Sequence, residues 1–270
     1  MSMKHPKRTV RLLLSLARHS FLSRGGFRRK ILGYIEKNTR APFQLDIQGA
    51  PFLIHFDNET ERKSIFNNYN LREVEFLKQA CTKPGSIFVD IGANSGYFTQ
   101  ILSLSMPADG RVLAIEPNPQ MTERLKTNLA LVPDSVREAS ASISIVESAV
   151  GATVGSAQLM LPIGPNSFGG AYIGSGTEGV TVKISTLHEI LSTAGATKVS
   201  ALKIDIEGHE DRALKPFLET APHELLPKAI VIEHTSLDEW EGDILLLLEK
   251  AGYQETGRTR SNALLSLSDS

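Results

Sequence analysis

Four hydrophobic runs in this chain end in acids, and those acids are the residues best placed to do chemistry. The first run, Ile87-Phe88-Val89, passes through Asp90 into Gly92, Asn94 and Gly96 and then into a helical pattern. Gly92 and Gly96 let the backbone approach a ligand with no Cβ in the way. The second, Val112 to Ile115, ends in Glu116, 26 residues after Asp90, the spacing at which a βαβ unit offers a second carboxylate to ribose hydroxyls. The third, Ala201-Leu202-Lys203-Ile204-Asp205-Ile206-Glu207, runs into Gly208, His209 and Glu210. Strand alternation puts Lys203, Asp205 and Glu207 on one side, where a lysine flanking two carboxylates would hold them ionised or share their charge with a substrate. The fourth, Ala229 to Ile232, brings Glu233 and His234 to the same rim.

The glycine pattern departs from the dinucleotide fingerprint, because Asn94 stands where the second glycine belongs. An acid at the tip of the first strand also repels phosphates, yet it can pair with a cationic amino-acid head group. S-adenosylmethionine meets these conditions: it has no phosphate, an amino acid at one end, a ribose diol in the middle and adenine at the other end. The plain alternative is a glycine-rich turn that binds nothing.

Two mechanisms suit the acids. Asp205, Glu207, Glu233 or His234 would act as general base on an acceptor hydroxyl, or Asp205, Glu207 and Glu233 would hold Mg²⁺ to acidify it. No dense ligand motif fixes a metal, so none is expected. In a purely structural reading, Lys203 bridges the acids while Glu210 and Asp211 favour a helix N-terminus.

The elements that must position these groups alternate from residue 85 onward: strands at 86–91, 111–116, 143–149, 200–206 and 228–234, with helices at 96–105, 119–131, 186–194, 209–220 and 238–251. Two further strands are expected in the tail, Tyr253 to Thr256 and Ala263 to Leu267. This order specifies an α/β fold with a doubly wound, mainly parallel sheet whose ligand crevice lies at the carboxyl ends of its strands. Residues 150–180 are glycine-rich and read as a long loop or a pair of short strands, a candidate substrate-side flap. Ahead of the sheet, Phe43 to Ile47 and Phe52 to Phe56 read as a β-hairpin, and 60–82 as one helix ending at Pro84-Gly85.

The chain has 270 residues, 41% of them hydrophobic, and a net charge of −1 that hides an asymmetry. Residues 1–40 hold eleven Lys or Arg against one acid, Glu36, so they carry about +10 and the remainder about −11. The divisions expected are a basic arm at 1–40, a hairpin and helix extension at 41–84, and a ligand-binding domain at 85–270. The arm is read in three ways: a solvated or loosely packed helix, a helix on an anionic membrane surface, or a transit peptide. It lacks a stacking surface for nucleic acid. One cysteine, Cys81, excludes an intrachain disulfide and a Cys-cluster zinc site. No run of 18 apolar residues occurs, so the expectation is a cytoplasmic protein, soluble or peripheral to a membrane.

Residues 70–235 resemble the FkbM family of S-adenosylmethionine-dependent methyltransferases. Three stretches carry the resemblance: Val89 to Thr99, Ala114-Ile115-Glu116-Pro117-Asn118-Pro119, and Leu202 to Glu210. It implies a class I methyltransferase (Rossmann-like) fold with one antiparallel strand near the end, and O-methylation of a hydroxyl on a glycan, glycolipid or secondary metabolite. By position it places Asp90, Gly92, Asn94 and Gly96 around the methionine part, Glu116 at the ribose, Pro117 and Asn118 at the adenosine rim, and Glu147 and Ser148 near adenine. At Thr186-Leu187-His188 the chain departs from the family's usual Thr-Leu-Asp, so His188 either alters the site or stands in a helix start. N-methylation and a non-catalytic S-adenosylmethionine-binding module remain the alternatives. The acceptor and the oligomeric state are not legible in the sequence.

Overall fold

The computed structural model describes residues 6–18, 20, 23, 25–161, 171–174 and 179–268. The chain begins with α1 (Arg8–Arg18) and α2 (Gly25–Asn38), followed by the antiparallel hairpin β1 (Phe43–Ile47) and β2 (Ala50–Ile54). Two short helices then lead to the sheet, α3 (Glu59–Ser64) and α4 (Leu71–Ala80). The single helix expected over 60–82 is thus divided. Asn67 and Asn70 take left-handed backbone angles, φ 62° and 46°, between the two halves. Asparagine tolerates that region because its short amide bonds locally.

The core follows as β3 (Ile87–Ile91), α5 (Tyr97–Ser103), β4 (Arg111–Ile115), α6 (Pro119–Leu129), α7 (Asp134–Glu138) and β5 (Ser142–Val146). Next come β6 (Ala149–Val150), β7 (Gly155–Met160), β8 (Tyr172–Gly174) and β9 (Val180–Ser185). The chain ends with α8 (Leu187–Thr193), β10 (Ala201–Ile204), α9 (Glu210–Thr220), β11 (Ala229–Glu233), α10 (Ile244–Lys250), β12 (Tyr253–Arg258) and β13 (Asn262–Leu267). The main sheet has seven strands in the order β12-β13-β11-β10-β3-β4-β5. From β11 to β5 the strands are parallel, and β13 runs antiparallel between β11 and β12. This is the class I methyltransferase arrangement, a doubly wound sheet with one reversed strand near its end.

Strand alternation divides the interior into two cores. Phe88, Val112, Ala201, Ala229 and Val231 pack on the side of α1, α2, α4 and α5. Val89, Leu113, Leu202, Ile230 and Ile232 pack on the side of α8, α9 and α10. A parallel sheet covered on both faces needs such continuous apolar strands.

The strand expected over 143–149 stops at Val146, and Ala149–Val150 joins a second sheet, β6-β9-β7-β8. That sheet fits the short-strand reading of 150–180. Part of the expected flap, residues 162–170 and 175–178, lies outside the described residues.

The basic arm is packed, which corrects its reading as a solvated or loose helix. Val10, Leu14 and Ala17 of α1 and Ile35 of α2 are buried in the same core as Phe43 and Phe66, and Arg18 Nε donates to the Ile65 carbonyl at 2.8 Å. Leu12 and Leu16, on the other side of α1, stay exposed. Among the described residues no helix is long and apolar enough to cross a membrane. Cys81 is buried and its thiol is pushed up to about 12 by desolvation, so it is unreactive.

Leu14→Ala should lower the unfolding free energy by about 2–4 kcal/mol, the range for an aliphatic truncation in a packed core. Leu12→Ala should change it by less than about 0.5 kcal/mol. Denaturant titration of both variants checks this, and equal midpoints would contradict packing of α1 on the core.

Candidate active site at the carboxyl ends of the parallel strands

Because β3, β4, β10 and β11 are parallel, their carboxyl ends emerge at one edge. The loops leaving β3, β4 and β10 line an open cavity of about 950 Å³, mouth included. The loop after β3 is drawn tightly against its neighbours. The amides of Gly92 and Ala93 both donate to Ile115 O at 3.0 Å, and Asp205 N donates to Ile91 O at 3.2 Å. A Cβ on Gly92, whose φ is 75°, would stand 2.0 Å from the Asp205 carbonyl oxygen, so only glycine fits. Asn94 and Glu207, both cavity residues, hold left-handed angles of 53° and 54°. Asparagine tolerates that region, so the strain is at Glu207, and strain in such a residue gathers where a site must be shaped.

On one side of this loop lies Glu116, buried at the end of β4. Its oxygens accept from Asn94 N at 2.7 Å and Asn118 N at 2.9 Å. A carboxylate has about four lone-pair directions, so each oxygen keeps capacity for a ribose hydroxyl. Burial pushes the Glu116 carboxyl up to about 7, against the lowering effect of those two amides. Asn118 Oδ1 caps α6 by accepting from Gln120 N at 3.0 Å, with Pro119 opening the helix. Its Nδ2, buried beside the cavity, has no protein partner and is a donor ready for a ligand acceptor.

On the other side stand Lys203, Asp205, Glu207 and His209. Lys203 does not flank Asp205 and Glu207 as alternation suggested, because β10 ends at Ile204. Its ammonium donates to Gly92 O at 2.8 Å and Ile91 O at 3.3 Å, and lies 3.7 Å from Asp90 Oδ1. Asp90 is 1% exposed and accepts from Thr99 Oγ1 at 2.6 Å. It sits beneath the loop and does not line the cavity, whereas Gly92, Asn94, Pro117 and Ser148 do. Desolvation pushes the Asp90 carboxyl up, and Lys203 opposes it.

Gly96 also lies outside the cavity wall. Its φ of 91° opens α5, and a Cβ there would meet Leu125 Cγ at 3.2 Å. Glu147 points away and pairs with Lys126 at 2.9 Å. His188 is exposed in the first turn of α8, which Thr186 caps, so the family departure there falls in a helix start.

Glu233 and His234 stand behind the cavity rather than in its lining. Glu233 Oε1 accepts from Thr235 N at 2.9 Å and from the Thr235 hydroxyl, while its Oε2 is buried without a hydrogen bond. Desolvation first, then Asp205, pushes the Glu233 carboxyl up to about 7. Glu207, at the mouth, is raised to about 7 by desolvation and by Asp205, Glu233 and Glu210. Ligand oxygens of Asp205, Glu210 and Glu233 lie within 4.8 Å of one another. Glu210 therefore takes the place expected for Glu207 in a three-acid group. Its own oxygens already accept from Ile206 N at 2.7 Å and Trp240 Nε1 at 2.8 Å.

Several contributors escaped the sequence reading. Thr60, Tyr69 and Asn70 from the extension, and Leu159, Tyr172 and Ile173 from the second sheet, close the cavity. Asn58, fully buried, caps α3 through Glu61 N and donates to Asn94 Oδ1 at 2.7 Å. The Asn67-Asn68-Tyr69-Asn70 run was the available signal, since three asparagines interrupt a helical pattern.

A cavity with a buried acid on one flank, further acids on the other and a closely approached glycine loop between them lies at the strand ends where a class I methyltransferase fold places its site. The model of the methyltransferase FkbM domain matches residues 90–255, and the chain belongs to that family. It is similar to the hexuronic acid methyltransferase AglP of Haloferax volcanii, 27% identical over 126 residues, a match covering 47% of each chain. The chain thus spans about half the length of that relative. Among solved structures it is similar to a methyltransferase FkbM of Methylobacillus flagellatus, with 16% identity, 78% of this chain and 55% of that one covered, and a TM-score of 0.44. It is also similar to an S-adenosylmethionine-dependent methyltransferase of Agrobacterium tumefaciens, with 11% identity, 84% and 70% covered, and a TM-score of 0.49.

Glu116 and Glu233 titrate near 4.3 in an unfolded chain and at about 7 here. Between those values the native state holds more protons, so the stability present below about pH 4.5 is lost as pH rises through 7. The unfolding midpoint of the cofactor-free protein should fall from pH 5 to pH 8. Glu116→Gln combined with Glu233→Gln should flatten that slope, and a midpoint rising over the range would contradict it.

Proposed function

We propose that this protein transfers a methyl group to a hydroxyl of a glycan, glycolipid or sugar-bearing metabolite, with Glu207 as general base. The observation that carries this reading is Glu207 in the cavity lining beside Asp205, solvent-exposed and so reachable by an acceptor, its carboxyl raised to about 7 by partial desolvation and by the acids around it. A carboxylate with that value takes a proton at neutral pH better than an ordinary glutamate. When bound, S-adenosylmethionine supplies an electrophilic methyl group. Glu116 and Asn118 would hold its ribose and adenosine rim, while Gly92 and Asn94 would receive its amino-acid part.

Lys203 and Asp90 act on the loop rather than on the acceptor, and Asp205 orients the acceptor beside Glu207. Thr60, Tyr69, Asn70 and Tyr172 shape the acceptor side and exclude water from it. No step needs a metal. AglP acts by its name on a hexuronic acid, which supports a sugar ring as the acceptor class, while the carboxylate of that sugar is not carried over to this chain. An amine acceptor would use the same carboxylates, and mass spectrometry of the product linkage separates the two.

Glu207→Gln should lower kcat by about 10²-fold or more, within the usual range for a general base, while the S-adenosylmethionine Kd changes by less than about threefold. The acidic limb of kcat against pH should disappear with it. Full turnover in this variant would transfer the base to Asp205 or His209.

We also place the basic arm at an anionic membrane surface. Leu12, Leu16 and Phe27 are exposed beside Arg8, Arg11, Arg29 and Lys30, a combination of apolar and cationic side chains suited to lipid headgroups. Removing the arm would strip Val10 and Leu14 from the core, so the test is Leu12→Ser with Leu16→Ser. That pair should abolish pelleting with vesicles rich in phosphatidylglycerol and leave methyl transfer to a soluble acceptor intact. Unchanged pelleting would refute the contact.

A further inference from the structure

The charged side chains lining the cavity are unevenly signed. Glu116, Asp205 and Glu207 stand against one ammonium, Lys203, among the described lining residues. That ammonium is 5% exposed and is engaged by Gly92 O, Ile91 O and Asp90. It is therefore not available to an acceptor. The two walls beyond the cofactor loop bring no replacement. Residues 150–180, which include the second sheet's contribution, contain no Lys, Arg or His at all. On the extension side Lys63 lies 5.9 Å from the Tyr69 ring centre and is paired with Glu59 at 2.7 Å, and it is not among the described lining residues. Behind Asp205 stand two more buried acids, Glu210 and Glu233.

Resting on the hydroxyl-methylation reading above, we propose that the acceptor is an uncharged or amine-bearing sugar, and that the cavity rejects sugars carrying a carboxylate. A carboxylate a few ångströms from Asp205 and Glu207 meets like charges in a partly desolvated site with no arginine or lysine to clamp it. Even at an effective dielectric of about 20, each such contact costs tenfold or more in affinity. An ammonium at the same place is attracted by both acids. A neutral polyol meets neither effect and hydrogen-bonds to the same oxygens.

The test uses the full chain loaded with S-adenosylhomocysteine and three matched probes: methyl glucoside, methyl glucosaminide and methyl glucuronide. Binding is read by ligand-observed NMR titration, and methyl transfer is measured in parallel with S-adenosylmethionine. The glucoside or the glucosaminide should bind at least tenfold more tightly than the glucuronide. Tyr172→Arg, which adds a cation to an exposed position on the acceptor wall, should narrow that ratio at least fivefold. Glucuronide binding as tight as the others overturns the charge inference, and so does binding of none of the three. The expected binding order without methyl transfer to any probe overturns the hydroxyl-methylation reading and leaves the charge selectivity standing.

Discussion

The Lys203 ammonium lies almost wholly buried between two parallel strands, donating to the carbonyls of Ile91 and Gly92 and facing Asp90. A charge at that depth is tolerated only when its partners are in place, and removing one partner of such a pair costs on the order of 3–5 kcal/mol. The rest of the site follows from this clasp. It ties the end of β10 to the loop after β3, and the Asp205 carbonyl then approaches Gly92 so closely that no Cβ fits. Asp90, an acid in a run that reads as a ligand contact, is instead the counter-ion beneath the loop, hydrogen-bonded to Thr99 of α5.

The extension at 41–84 supports the same loop from the opposite side. Asn58 donates to Asn94, and Gln48 of the hairpin turn donates to the Tyr97 hydroxyl at 2.7 Å. Tyr97 in turn donates to Tyr69 O at 2.5 Å. Asn128 joins the hairpin to α6 by accepting from Leu53 N and donating to Ser95 O. Arg124 clamps Asp57 through two 2.9 Å bonds. Together these contacts hold the loop after β3 with Asn94 in its left-handed conformation.

Charge is distributed to complement this architecture. Acids collect where the parallel strands end, cations collect on α1 and α2, and the apolar faces of those helices are shared between the core and the surface. The raised carboxyls of Glu116, Glu207 and Glu233 share one leading cause, desolvation in the crevice, to which Asp205 adds at Glu207 and Glu233.

Much of this was legible in the residues because the signals are local. Apolar β runs ending in acids, the glycine bend and the Pro-Asn-Pro cap specify strand, turn and helix within a few positions, and their order specifies a parallel sheet with its crevice at the carboxyl ends. The seven-stranded sheet, its reversed strand and the rim residues Gly92, Asn94, Glu116, Asp205 and Glu207 all lie within that reach. Which carboxylates line the cavity was not local. Asp90 and Glu233 turn away because Thr99, Lys203 and Thr235 take them, and those partners are neighbours only in space for Asp90 and only by a turn for Glu233. Over 150–180 the glycines left a loop and short strands equally open, because they weaken strand propensity without forbidding pairing. The division of α1 into buried Val10 and Leu14 and exposed Leu12 and Leu16 needed the core that it packs against. Periodicity establishes that a helix has an apolar face, and only the tertiary contacts decide what covers it.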